Sequence, residues 1–236
     1  MNEGLDEVPL TGGRVTPNVT RRGNIVYRPC CPDSPFSHRV LQWLEAKQVD
    51  IVPRFFGVSE DGREMTSFLE GLSPPDLGYF YTRQLSQAGR IIKRLHETLS
   101  DFPGCKPGQT VCHNDLSPCN FMFMDDIPYA VFDWDAAKIG DPLDDVAYAL
   151  WMWCNIGYAL EMNGPADVGR QIRIVIEAYG LDRQKWALLP RYIYRQMQRV
   201  AKSLKAANNA AGQQWAQACG RRLKTHENEV MHIVLE

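Results

Sequence analysis

Apolar and polar positions alternate in short bursts over the first third of the chain and recur at three- and four-residue intervals over the rest. Short extended runs at residues 8–11, 18–21 and 24–28 predict strands, separated by the turn formers Gly12-Gly13, Thr16-Pro17 and Arg22-Gly23. Pro29, Pro32 and Pro35 mark an irregular connection. Residues 37–47 follow with Val40, Leu41 and Leu44 at helical spacing. Residues 53–58 and 64–69 predict two further strands around the turn Glu60-Asp61-Gly62. All periodicity then stops over residues 70–75, so a boundary is expected there. Residues 1–70 would form a small β-rich lobe with one helix, and residues 71–236 a second lobe.

The second lobe reads as mainly helical. Residues 79–99 place Leu85, Ala88, Ile92, Leu95 and Leu99 on one face. Residues 102–110 are a Pro- and Gly-rich connection, and two apolar runs, 120–124 and 129–132, flank Asp125-Asp126 as a hairpin would. Asp141-Pro142 opens a helix with an N-cap acid and a proline in the first turn. Helices are also expected over residues 166–179, 184–206 and 212–234, without internal repeats. The pattern is α+β: a small antiparallel β-rich lobe, a hinge, and a larger helical lobe containing one loop-and-hairpin insert. A cleft between two lobes is where a ligand is expected.

Composition narrows the function classes. The 236 residues carry a formal net charge of -2, which gives no global field toward nucleic acid or anionic lipid. The richest apolar stretch, residues 146–160, is interrupted by Asn155 and Gly157 and falls short of the roughly 18 residues a membrane span needs. It reads as a buried helix. The first ten residues lack the basic start and apolar run of a signal peptide. Seven cysteines, an odd number with no CxxC pair, suggest neither a disulfide framework nor a zinc site. A reducing cytoplasm suits that inventory.

The candidate chemistry lies in His113-Asn114-Asp115-Leu116-Ser117-Pro118-Cys119-Asn120 and, after the hairpin, Phe132-Asp133-Trp134-Asp135. Phosphoryl transfer from ATP needs hard oxygen ligands for Mg2+ and a carboxylate that orients the attacking hydroxyl and takes its proton. A loop Asp, an amide oxygen five residues later and a carboxylate on the returning hairpin arm supply all three. Asp115 is the expected base, Asn120 and Asp133 the expected metal ligands, and Asp135 a further candidate. His113 is expected to brace the loop through hydrogen bonds. The alternative is a loop whose Asp and Asn only cap turns.

H-x-D-x-x-x-x-N followed by D-x-D and Gly140-Asp141-Pro142-Leu143-Asp144-Asp145 resembles the aminoglycoside phosphotransferase and choline kinase superfamily, a branch of the protein-kinase-like fold. The resemblance implies a two-lobed kinase-like fold, ATP and Mg2+ as cofactors, and a small-molecule hydroxyl acceptor, aminoglycoside-like or an amino alcohol. It puts Arg28 at the position of the strand lysine that grips the α- and β-phosphates, with no glutamate over residues 37–42 to pair with it. Arginine and lysine are not interchangeable there. Gly12 and Gly13 would form the phosphate-covering loop, or equally a plain turn. Ser67 and Leu69 would meet adenine at the hinge. Asp141 and Asp145 read as a helix cap and a first-turn acid.

The acceptor is not identified by sequence. Arg191, Arg195, Arg199 and Lys202 form a stripe offset from the apolar Leu189, Ile193, Met197, Val200 and Leu204 by about 200°, a solvated face by that measure. Trp151, Trp153, Tyr158 and Trp186 read as core. Three readings compete: a small-molecule kinase, a ligand-binding pseudokinase serving immunity or sequestration, and a protein kinase. The last is ranked lowest, because D-F-G and A-P-E signatures are absent.

Overall fold

The computed structural model describes residues 6–10 and 18–236. Gly12 and Gly13 lie outside the described residues. A five-stranded antiparallel sheet opens the fold: β1 (Val8–Pro9), β2 (Thr20–Arg22), β3 (Ile25–Pro29), β4 (Phe55–Val58) and β5 (Arg63–Ser67), in the order β1-β2-β3-β5-β4. Helix α1 (Ser34–Ala46) follows β3 and sends Val40, Leu41 and Leu44 into the interior. It starts three residues before the sequence pattern, because Pro35 sits in its first turn, where no backbone donor is needed, rather than in a loop. The Glu7 carboxylate ties the edge of the sheet together through Arg22 at 2.8 Å, Arg63 at 2.5 Å and Thr20 at 2.5 Å. The Arg63 bond leads in holding that carboxyl down at about 2.

After residues 70–75 the chain enters α2 (Thr82–Leu99), then β6 (Thr110–Cys112), the hairpin β7 (Phe121–Met124) and β8 (Ile127–Val131), and β9 (Lys138–Gly140). Helices α3 (Pro142–Trp153), α4 (Tyr158–Met162), α5 (Pro165–Tyr179), α6 (Leu189–Ala206) and α7 (Ala210–Leu235) complete it. β6 and β9 pair antiparallel with Thr110 opposite Gly140. Neither was read from sequence, since three residues are too few to display alternation. The segment expected as one helix over 184–206 is a 3₁₀ run (Arg183–Leu188) followed by α6. Among the described residues, no helix is long and apolar enough to cross a membrane.

Two glycines decide how closely the helices approach. Gly157 breaks the apolar run between α3 and α4 at φ 119°, and a Cβ there would sit 2.5 Å from Cys219 Sγ on α7. A Cβ on Gly89 of α2 would meet the Val175 carbonyl oxygen of α5 at 2.6 Å. The largest buried aromatic group gathers on Trp153, which packs against Phe80, Phe121 and Phe123 with ring centroids 4.9–6.0 Å away. The hairpin is therefore anchored to α3, and the two loops bordering it inherit a fixed position.

Candidate active site

The loop between β6 and β7 is pinned from below by one buried carboxylate. Asp145, fully buried in the first turn of α3, accepts the backbone N–H of His113 and of Asn114, each at 2.7 Å, and the His96 ring at 3.0 Å. Burial pushes its pKa up, but the hydrogen bonds from His96 and from the His113 backbone N–H outweigh that and hold it below the usual carboxylate value. His96 in turn meets the Tyr179 hydroxyl at 2.9 Å. Asp145 was expected only as a dipole partner of α3. The structure corrects this: it orients the loop. The missing signal was tertiary, since β6 brings two unpaired loop N–H groups to the start of α3.

His113 is equally committed. Its Nδ1 accepts the Asp115 backbone N–H at 3.3 Å and its Nε2 lies 3.0 Å from the Phe132 carbonyl, so the proton sits on Nε2. The ring therefore ties the loop to the end of the hairpin. Asn114 and Asp133 both adopt left-handed backbone, at φ 64° and 65°, a region that Asn and Asp enter more readily than other non-glycine residues.

Asp115 presents its carboxylate between two donors. Asn120 Nδ2 donates to Oδ2 and to the Asp115 carbonyl, both at 2.8 Å. The Tyr148 hydroxyl donates to Oδ1 at 2.6 Å. Burial first, and then the Asp115 charge, keep the Tyr148 phenol well above its usual range and so protonated. Sequence reading missed Tyr148, which stands among apolar residues in the middle of α3.

Asp133 and Asp135 face Arg28 across the cleft. Arg28 donates to Asp133 Oδ1 at 3.0 Å and to Asp135 Oδ1, and its Nε stands 2.5 Å from Glu64 Oε1 as an ion pair rather than an aligned hydrogen bond. The expected glutamate partner is thus present, but on β5 instead of α1: antiparallel register sets Glu64 directly opposite Arg28. The helix position is taken by His38, whose Nε2 is 2.6 Å from Glu64 Oε2. Glu45 is spent on Arg54 at 2.9 Å. Three acids raise the Arg28 pKa against the opposing effect of burial.

The oxygen donors fit a hard divalent cation. Asp133 and Asp135 are partly exposed carboxylates, and Asn120 makes both of its side-chain hydrogen bonds through Nδ2, so its amide oxygen could serve as a cation ligand. The guanidinium of Arg28 holds the two carboxylates in this state.

These groups border one cleft of about 2350 Å3, which Ser67 and Leu69 also line. The Ser67 N–H is already bonded to the Arg54 carbonyl at 2.9 Å, so that donor is closed to a ligand. Also lining the cleft are Tyr158, exposed rather than core, and Trp215, stacked on Trp151 at 4.9 Å. Asp167 lies there with Gln171 Nε2 at 2.9 Å and Arg170 at 3.3 Å. The arginine stripe of α6 is corrected in part. Arg199 reaches Asn114 Oδ1 at 3.1 Å and Arg195 pairs with Asp144 at 2.5 Å, because α3 packs on the flank of α6 between core and solvent.

Residues 105–189 match the model of the phosphotransferase enzyme family. A trifolitoxin immunity protein of Rhizobium leguminosarum bv. trifolii is 31% identical over 208 residues, covering 76% of each chain. Among solved structures, amicoumacin kinase bound to AMP-PNP and Ca2+ matches with a TM-score of 0.67 at 12% identity, covering 92% of this chain and 90% of that one. Choline kinase from Cryptosporidium parvum Iowa II matches with a TM-score of 0.66 at 11% identity, covering 97% and 91%. The GDP complex of aminoglycoside 2'-phosphotransferase-IIIa matches with a TM-score of 0.61 at 14% identity, covering 95% and 94%. At these identities the solved structures establish the protein-kinase-like fold.

Proposed function

The chain belongs to the phosphotransferase enzyme family, and on that premise we propose that it transfers the γ-phosphate of ATP to a hydroxyl group of a small molecule. The observation that carries this reading is the Asp115 carboxylate, held by Asn120 on one oxygen and bonded to a hydroxyl, that of Tyr148, on the other at 2.6 Å. An acceptor hydroxyl in the phenol's place would give its proton to Asp115 as its oxygen attacks phosphorus. His113 and Asp145 keep that carboxylate in place. Asn120 and Asp133, with Asp135 beside them, would hold Mg2+, which when bound neutralises the phosphate charge. Arg28 would grip the α- and β-phosphates and must leave Asp133 and Asp135 to do so. Leu69 would meet adenine at the hinge, with Ser67 beside it lining the cleft while its N–H stays on Arg54; residues 1–70 would be the nucleotide lobe and 71–236 the acceptor lobe. An ATP-dependent activity of this kind would be served in the cytoplasm.

Because the curated relative is named for immunity to trifolitoxin, the acceptors to screen first are hydroxylated antibiotics, followed by amino alcohols. Asp115→Asn is expected to cut phosphoryl transfer by about 10²- to 10⁴-fold while leaving the melting temperature in place, and Asp133→Asn to remove the Mg2+ dependence with the activity. Undiminished Mg2+-dependent turnover in both variants would sink the reading.

One observation favours a second reading. Arg28 closes both metal-site carboxylates, as in a protein that confers immunity by holding its ligand without transfer. That protein would bind the toxin or nucleotide and release no phosphorylated product.

A further inference from the structure

The seven cysteines suggest no zinc site by their spacing, yet the fold assembles three donors that lie far apart in sequence. Cys30 follows the last residue of β3, His38 sits on α1, and Glu64 stands on β5 opposite Arg28. The Cys30 Sγ, a His38 ring nitrogen and a Glu64 carboxylate oxygen all lie within 4.8 Å of one another, and this is the one such His/Cys/Asp/Glu group among the described residues. We propose that Cys30, His38 and Glu64 form a binding site for a borderline-soft divalent cation of the Zn2+ type, separate from the Mg2+ position at Asn120 and Asp133.

The three donor atoms, all within 4.8 Å of one another, would shift by about 1 Å or less per pair to ligate one ion. Tetrahedral zinc with bonds of about 2.0–2.3 Å sets its ligand atoms about 3.3–3.7 Å apart. The His38 Nε2–Glu64 Oε2 contact of 2.6 Å would open by about 0.7 Å to admit the ion between them. The ring is already held for that role: it stacks on Phe55 with centroids 3.9 Å apart at 18°, which aims Nε2 at the carboxylate. The connection bearing Cys30 is fixed too, since the Cys31 N–H donates to Ser34 Oγ at 2.8 Å. Glu64 is buried and Cys30 exposed, so an ion enters from solvent and meets a rigid floor.

Charge favours a cation here. Three carboxylates, Glu64, Asp133 and Asp135, converge on the single guanidinium of Arg28, leaving the cluster deficient in positive charge. Burial and the nearby Glu64 charge keep the free Cys30 thiol protonated, so metal uptake releases that proton and forms a thiolate–metal bond. Sulfur and imidazole ligands select Zn2+ over Mg2+. A fourth position, open to solvent, is left for water.

The test uses the full chain, reduced and stripped of metal, titrated with Zn2+ alone against a chromophoric chelator and with Co2+ as a spectroscopic stand-in. One Zn2+ is expected to be retained per chain, unaffected by a large excess of Mg2+, and Co2+ is expected to show a thiolate charge-transfer band. Cys30→Ser should abolish that band, and Cys30→Ser and His38→Gln should each weaken Zn2+ by at least about tenfold, with Cys31→Ser and His232→Gln unchanged. No retained Zn2+, retention undiminished in Cys30→Ser, or displacement by Mg2+ would overturn the proposal. Cys30 is exposed, so its variant folds and decides the matter even where His38→Gln does not. No readout depends on phosphoryl transfer, and a failure here leaves the kinase reading untouched.

Discussion

Arg28 carries three ion pairs, to Glu64, Asp133 and Asp135. Its guanidinium sits where an incoming divalent cation would find its carboxylates. Arg28→Ala is therefore expected to tighten Mn2+ binding in the absence of nucleotide by about tenfold, the equivalent of about 1.4 kcal/mol, as read by calorimetry, while weakening ATP. A buried carboxylate gives the second residue-scale prediction. Asp145 has a folded-state pKa below the unfolded value of about 3.9. Its contribution to stability is therefore fully present above that unfolded value and is lost as pH falls through the folded one. Asp145→Asn turns an amide N–H toward backbone donors and should cost about 3–5 kcal/mol near neutrality. The gap from wild type should narrow in denaturant melts below about pH 4. The H-x-D-x-x-x-x-N spacing, with the D-x-D after the hairpin, made Asp115, Asn120 and Asp133 readable as one constellation. Asp145, Tyr148 and Glu64 were not readable, because each acts through a partner on another element.

At the scale of elements, amphipathic spacing was the dependable signal. Helix α2 was foreseen over residues 79–99 and is observed at Thr82–Leu99, because its apolar face is continuous. The strands β6 and β9 escaped, and so did the break between the 3₁₀ run and α6, where Pro190 in the first turn restarts the helix. Close helix contact is where a small change should be felt. Gly89→Ala gains about 1 kcal/mol of helix propensity, but its Cβ would press on the Val175 carbonyl oxygen at 2.6 Å. Overpacking costs about 1–3 kcal/mol, and a backbone atom in α5 cannot swing aside as a side chain would. A net loss is expected, visible as a fall of a few degrees in melting temperature.

For the whole molecule, the net charge of -2 conceals an uneven distribution, with Glu64, Asp133 and Asp135 collected at the cleft around the single guanidinium of Arg28. On the proposed function, a nucleotide would bring a divalent cation to offset those carboxylates. ATP with Mg2+ at about 100 times the dissociation constant should stabilise the fold by about 2.7 kcal/mol, or roughly 5–10 °C for a chain of this size. ATP without a divalent cation should give a smaller shift, and Asp133→Asn should erase the difference. An identical shift with and without Mg2+ would contradict the assignment of Asn120 and Asp133.

By itself, the order of residues determined the fold class and singled out the loop proposed to carry the chemistry. Both rest on local information: turn formers, hydrophobic period and a spacing of five residues between an acid and an amide. Tertiary structure alone decided what surrounds that loop. Register across β3 and β5 supplied Arg28 with Glu64, the approach of α3 to β6 made Asp145 its anchor, and the packing of α6 on α3 turned Arg199 toward Asn114. Such pairings join residues tens of positions apart, and no local period records them. The same convergence brought Cys30, His38 and Glu64 within reach of a single ion.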